Sequence, residues 1–144
     1  CSNVAGEFFF YFFFFFYQSI KELIRPGGRL YESRKAIVDA VARSKYLTLT
    51  VPRGALYAFV GVDTQRLPGF DDRRFAMDLL EHKHVLVAPG TSFNVAYNTH
   101  FRVTNLPEPE VLSDVFDRME ELLDNYAAGD EPVSRPTPLR AVEA

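Results

Sequence analysis

Few side chains in this sequence are of a type and spacing that could do chemistry, and Arg102 stands out among them. It lies inside an apolar stretch, between Phe101 and Val103, shortly before a turn at Pro107. A guanidinium in such surroundings must find an anion, and its planar fork of donors matches a carboxylate bidentately. Taken locally, the simpler reading is an arginine on the solvent face of an edge strand. His82 and His84 are separated by one residue and would face one side of an extended chain, as two imidazoles gripping zinc do. No cysteine lies near them and the third histidine, His100, belongs to a distant segment, so a solvated loop is preferred and no metal ligand is assigned. Glu120, Glu121 and Asp124 fall on the polar side of a helical stretch, where the solvated-face reading prevails. No serine-centred nucleophile elbow is present, and Gly27-Gly28 is a lone pair without a strand before it, which is not a phosphate-binding fingerprint.

The elements that must position these groups follow from periodicity. Ile20, Leu23 and Ile24 begin a helical spacing that Pro26-Gly27-Gly28 interrupts, and Leu30, Ile37, Val38 and Val41 resume it to about Ser44. Leu47 to Val51 alternates with period two, and Ala55 to Val62 is a nearly continuous apolar run of strand composition. Pro52-Arg53-Gly54 between them suggests an antiparallel hairpin. Asp71 and Asp72 precede Phe75, Ala76, Leu79 and Leu80, which puts acid at a helix start with an apolar stripe behind it. Val85-Leu86-Val87 reads as a short buried strand ended by Pro89-Gly90, and His100 to Leu106 as another strand. Glu108 and Pro109 open the clearest helix, where Leu112, Val115, Met119, Leu122 and Tyr126 make a stripe that ends at Gly129. The expected fold class is α/β in the α+β sense, a small mixed or antiparallel sheet covered by helices.

Composition sets the outer limits. A chain of 144 residues, 47% hydrophobic and 24% charged, suits one globular domain. Sixteen Lys and Arg against nineteen Asp and Glu give a net charge of −3 without a basic block, so nucleic acid is not an expected partner. The single cysteine, Cys1, cannot form an internal disulfide, which fits a reducing, cytoplasmic setting. Eight of the fourteen phenylalanines crowd around Tyr11 between Phe8 and Phe16. That run is about half the roughly 20 apolar residues a membrane helix needs, so no membrane span is expected. With neither alternation nor a helical period it reads most simply as a sequence defect replacing an ordinary amphipathic stretch. Cys1-Ser2-Asn3 also fits the start of a mature lipoprotein, although so short a motif carries little weight. The last residues, polar and proline-rich, read as a disordered tail over 129–144, and the chain looks like the end of something longer.

Two ordered stretches then matter together: Val85-Leu86-Val87-Ala88-Pro89-Gly90-Thr91-Ser92-Phe93-Asn94, and His100-Phe101-Arg102-Val103-Thr104-Asn105-Leu106-Pro107. With Pro52-Arg53-Gly54-Ala55-Leu56-Tyr57-Ala58-Phe59 upstream, they resemble the C-terminal end of class I/II aminotransferases that use pyridoxal 5′-phosphate. The Thr-Ser-Phe-Asn wording and Cys1-Ser2-Asn3-Val4 are most similar to the alanine-transaminase-like branch. The resemblance covers about Tyr17 to Tyr126 plus Cys1 to Gly6, and the Phe run departs from it. It divides the chain into an anomalous segment over 1–16, a small domain of the fold-type-I aminotransferase kind over 17–128, and the tail.

What the resemblance implies is transfer of an amino group between alanine or glutamate and a 2-oxo acid, with the cofactor as electron sink. It assigns Arg102 to the substrate α-carboxylate, and places Phe93 and Asn94 beside it. The family's Schiff-base lysine, its pyridine-nitrogen aspartate and its phosphate cup belong to the large domain. Lys21, Lys35, Lys45 and Lys83 match none of these, so no catalytic or cofactor-binding residue is expected here and the chain alone is expected to be inactive. The resemblance also implies a homodimer for the complete enzyme. The competing reading is a non-catalytic α/β interaction module, lipid-anchored through Cys1, with Arg102 structural.

Overall fold

A computed structural model of the chain describes residues 14–19, 21–50 and 56–129. Cys1, most of the Phe run, the Pro52-Arg53-Gly54 connection and the tail from residue 130 lie outside the described residues, as does Ile20. Residues 14–19 and 21–24 are helical, with Phe14, Phe15 and Phe16 exposed. The glycine pair then breaks the helical pattern, as its spacing predicts, and α1 runs over Arg29–Arg43. Helix α2 covers Asp72–Lys83 and α3 Pro109–Ala128. Each boundary has a local cause. The Asp71 carboxylate accepts the Arg74 N–H at the start of α2, relieving one of the donors a helix leaves unpaired. Pro109 occupies the first position of α3, where its missing N–H costs nothing, and Gly129 takes the left-handed conformation that ends it.

Four strands, β1 (Leu47–Leu49), β2 (Tyr57–Val62), β3 (Ala88–Pro89) and β4 (His100–Thr104), form one sheet in the order β1-β2-β4-β3. Every neighbouring pair is antiparallel, including the β1-β2 pair expected from sequence. Alternation along the strands sends Leu47, Ala58, Val60, Val62, Phe101 and Val103 to one side, where the core lies. The helices close that side. Ile37, Ala40 and Val41 come from α1, Phe75 and Leu79 from α2, and Leu112, Phe116, Met119, Leu122 and Leu123 from α3. Phe75 is fully buried and meets Phe70, Phe101 and Tyr126 with ring centroids 5.3, 5.2 and 6.2 Å away, which ties helix, sheet and helix together.

Two sequence expectations change. Val85-Leu86-Val87 is not a strand: Val85 and Val87 are buried and Leu86 is 81% exposed, but pairing begins only at Ala88 and Pro89, opposite Arg102 and Phe101. Period-two burial had marked an extended segment that packs on the core before it reaches a hydrogen-bonding neighbour. His82 and His84 do not share an extended chain either. His82 is in the last turn of α2 and His84 is its left-handed cap at φ 54°, both exposed.

Candidate carboxylate site

The side of the sheet away from the helices is where the polar and aromatic side chains gather. Register Phe59↔Arg102 and Gly61↔His100 sets these residues, with Tyr57, on that one face, and Thr48 of β1 lies opposite Gly61. Arg102 is therefore on an interior strand with β2 on one side and β3 on the other, not on the edge strand of the simpler local reading. Its β3 partner is Ala88, too small to cover the guanidinium.

The Arg102 guanidinium carbon sits 4.4 Å from the Tyr57 ring centroid and 4.3 Å from that of Phe93. A guanidinium packs favourably on aromatic faces through its planar, weakly hydrated charge, and two rings hold this one. Among the described residues no carboxylate and no hydrogen-bond acceptor reaches it. A half-buried cation oriented by rings and lacking an acid is suited to a carboxylate arriving from outside.

Phe93 reaches this position because Gly90–Phe93 forms a 3₁₀ turn directly after β3. A Cβ at Gly90 would lie 2.7 Å from the His100 carbonyl oxygen, so only glycine lets the turn approach β4 this closely. Asn94 ends the turn at φ 59°, a left-handed conformation asparagine tolerates. It is exposed and, among the described residues, makes no hydrogen bond to Arg102. The structure thus brings Phe93 onto Arg102 and gives Asn94 a backbone part.

An aromatic row continues from Phe93. Phe59 meets Phe93 edge-on at 6.3 Å and stacks on His100 at 5.3 Å and 15°, and Tyr97 tilts against His100 at 4.7 Å. His100 shares a hydrogen bond with Thr99 Oγ1 at 2.9 Å through Nδ1, and burial lowers its pKa below the ordinary 6.5. Thr48, Thr50, Phe59, Gly61, Tyr97 and His100 border a cleft of about 290 Å³ beside it. Sequence reasoning missed this row. Tyr57 and Phe59 carry the period-two signal of a face, but the face they share with Arg102 is decided by cross-strand register, which one strand does not encode.

The described lysines lie elsewhere. Lys45 pairs with Asp124 at 3.5 Å, Lys83 with Glu121 at 2.8 Å, Lys21 stands over the Tyr17 ring, and Lys35 is exposed on α1. Of the acidic trio on α3, Glu121 and Asp124 make those ion pairs, while Glu120 accepts from the Ser44 hydroxyl and the Lys45 N–H. Among the described residues no group of three His, Cys, Asp or Glu could hold a metal, and no helix is long and apolar enough to cross a membrane.

Comparison with known proteins bears on the chain as a whole. Residues 18–118 match the sequence profile described as Aminotransferase class I and II. The glutamate-pyruvate aminotransferase AlaA of Escherichia coli (strain K12) is 34% identical over 126 residues, 88% of this chain and 31% of that protein. An alanine aminotransferase of Mycobacterium bovis is 32% identical over 126 residues, 88% of this chain and 29% of the relative. Among solved structures, an aminotransferase from Escherichia coli superposes with a TM-score of 0.72 at 35% identity, covering 76% of this chain and 27% of that one. The alanine aminotransferase from Pyrococcus furiosus gives 0.61 at 31% identity over 67% and 24%. The chain spans less than a third of the length of these relatives.

Proposed function

We propose that this chain, which belongs to the class I and II aminotransferase family, supplies the substrate-carboxylate clamp of an alanine-type aminotransferase that works between alanine or glutamate and 2-oxo acids. The observation that carries this reading is the Arg102 guanidinium, held over Tyr57 and Phe93 with no acid of its own among the described residues. The alanine-type assignment is supported by the printed names of the relatives.

Arg102 binds the α-carboxylate through two parallel N–H···O bonds, which fixes the rotation of the substrate about its Cα. The Tyr57 and Phe93 rings hold the fork in that plane and exclude water from one side of it. Phe93 and the adjoining Asn94 border the carboxylate as the edge of the site. Pyridoxal 5′-phosphate supplies the electron sink of the family reaction when bound. The described residues do not fit it: the open face carries no lysine for its aldehyde, and the lysines present are engaged or exposed on other surfaces. The cofactor belongs to the family's large domain, so no proton transfer is assigned to this chain and the chain alone is inactive. The working enzyme is a cytoplasmic homodimer.

The test is to assay the gene product extended to include the large domain, alongside the 144-residue chain, for pyruvate formation from alanine with 2-oxoglutarate as acceptor. Activity that depends on pyridoxal phosphate in the longer protein and is absent from the chain is expected. A longer protein that binds the cofactor yet forms no pyruvate from alanine overturns the alanine-type assignment.

A further inference from the structure

The carboxylate of Asp72 is fully buried, yet it belongs to the first turn of α2 and forms no part of the aromatic face. Its partners explain its placement. Asp72 Oδ2 accepts the Thr91 backbone N–H at 2.8 Å, and Oδ1 accepts the Thr91 hydroxyl at 3.3 Å. The Thr91 hydroxyl in turn accepts from Arg73 Nε at 3.1 Å. At the other end of the same loop, the Asp72 N–H donates to the Asn98 carbonyl at 3.1 Å and Asn98 Nδ2 donates to Asp71 Oδ2 at 3.3 Å. Both ends of the loop from Thr91 to Asn98 are therefore tied to one helix turn. Between them the chain carries Phe93, whose ring meets the Arg102 guanidinium.

From this geometry we infer that Asp72 is a positioning residue for the carboxylate clamp: through Thr91 it sets the turn that places Phe93 over Arg102. This rests on the reading of Arg102 as the carboxylate receptor. An alternative way to hold a surface loop would leave the carboxylate outside, where water competes for it. Here the ionic acceptor is buried, where hydrogen bonds to a charged group are strong and leaving one unmade is costly. The 3₁₀ turn between Thr91 and Phe93 is short, so a displacement at Thr91 passes to the ring two residues on. Gly90 seats the start of the turn directly against β4, where a Cβ would lie 2.7 Å from the His100 carbonyl oxygen.

The experiment uses the 144-residue chain labelled with ¹⁵N and follows the Arg102 Nε–Hε resonance. A proton above two aromatic faces is displaced upfield by their ring currents, and a merely structural role for Asp72 would leave that displacement in place in any variant that folds. Phe93→Leu defines the position without the Phe93 ring. Asp72→Ala, which removes both acceptors of Thr91, is expected to move the resonance at least halfway to that position. Thr91→Val removes the hydroxyl's bond and keeps the backbone N–H bond to Asp72, so a smaller move in the same direction is expected, and Thr91→Ser is expected to return it. If Asp72→Ala does not fold, Asp72→Asn decides. The inference is overturned if the Asp72 variant that folds keeps an unmoved Arg102 resonance, or if Phe93→Leu itself leaves that resonance in place. Titration with 2-oxoglutarate separates the underlying reading. If Arg102→Lys binds it as the parent does while the ring-current results hold, the carboxylate assignment fails and the positioning role stands.

Discussion

Replacing Arg102 by lysine removes the fork and keeps the charge, so it isolates geometry. In the proposed role the guanidinium would make two parallel charge-assisted bonds to one carboxylate, whereas an ammonium on a flexible stem makes one directed bond and places its charge less well. A hydrogen bond to a charged group contributes about 1.5 to 3 kcal/mol. The stacked contacts at 4.4 and 4.3 Å lose planarity as well, and such contacts are worth about 0.5 to 1 kcal/mol at partly exposed sites. Taking a loss of about 2 to 3 kcal/mol, and tenfold per 1.4 kcal/mol, kcat/KM for alanine falls about 30- to 150-fold. The assay is steady-state pyruvate formation from alanine by the protein carrying the large domain, with the urea midpoint measured alongside to show that the fold survives. Because the carboxylate is held in the ground state and the transition state alike, KM carries much of the loss, with a share in kcat from misorientation at Cα. A change below about fivefold, in a variant that folds, would refute the claim that Arg102 holds the carboxylate by its fork.

Four further outcomes follow from the same structure. Gly90→Ala forces a Cβ to 2.7 Å from the His100 carbonyl, a backbone atom that cannot turn away, and should cost about 1 to 3 kcal/mol in urea denaturation. A cost near zero would contradict the close approach of the turn to β4. Phe75→Ala, which empties the contact with Phe70, Phe101 and Tyr126, should destabilise by about 3 to 5 kcal/mol, a large part of the stability of a domain this size. The Tyr46 hydroxyl donates to Asp124 at 2.8 Å, and that bond, followed by burial, raises its pKa above 10.0. The folded state thus favours the neutral phenol, a contribution fully present below pH 10 and lost as pH rises through the higher folded value, so the stability gap between parent and Tyr46→Phe should narrow above pH 10. Burial lowers the His100 pKa, so its contribution is present above the unfolded value of 6.5 and is lost as pH falls through the folded one; an imidazole resonance titrating at or above 6.5 would contradict that burial.

Much of the architecture was legible because it rests on local rules. The stripe from Leu112 to Tyr126, Pro109 before it and Gly129 after it specify α3 without reference to any other element. The acid pair before Phe75 specifies the start of α2, and Gly27-Gly28 the break before α1. Failures occurred where pairing, not pattern, decides. Val85-Leu86-Val87 has the burial of a strand without its ladder. His82 and His84 sit at a helix end because α2 continues to Lys83, past the last apolar residue of its stripe.

The site divides along the same line. Sequence by itself determined that Arg102 lies in an apolar strand and that Pro89-Gly90 turns the chain ahead of Phe93, since residue type and neighbours are enough for both. Tertiary structure alone decided that Arg102 is interior to the sheet, that Tyr57 and Phe93 stack on it, and that Asp72 holds the turn through Thr91. The physical reason is that period two tells which residues of one strand share a face, whereas register and packing tell what that face meets. Those depend on a hydrogen-bond ladder between segments some forty residues apart and on a buried carboxylate nineteen residues from its partner, which no local pattern can report.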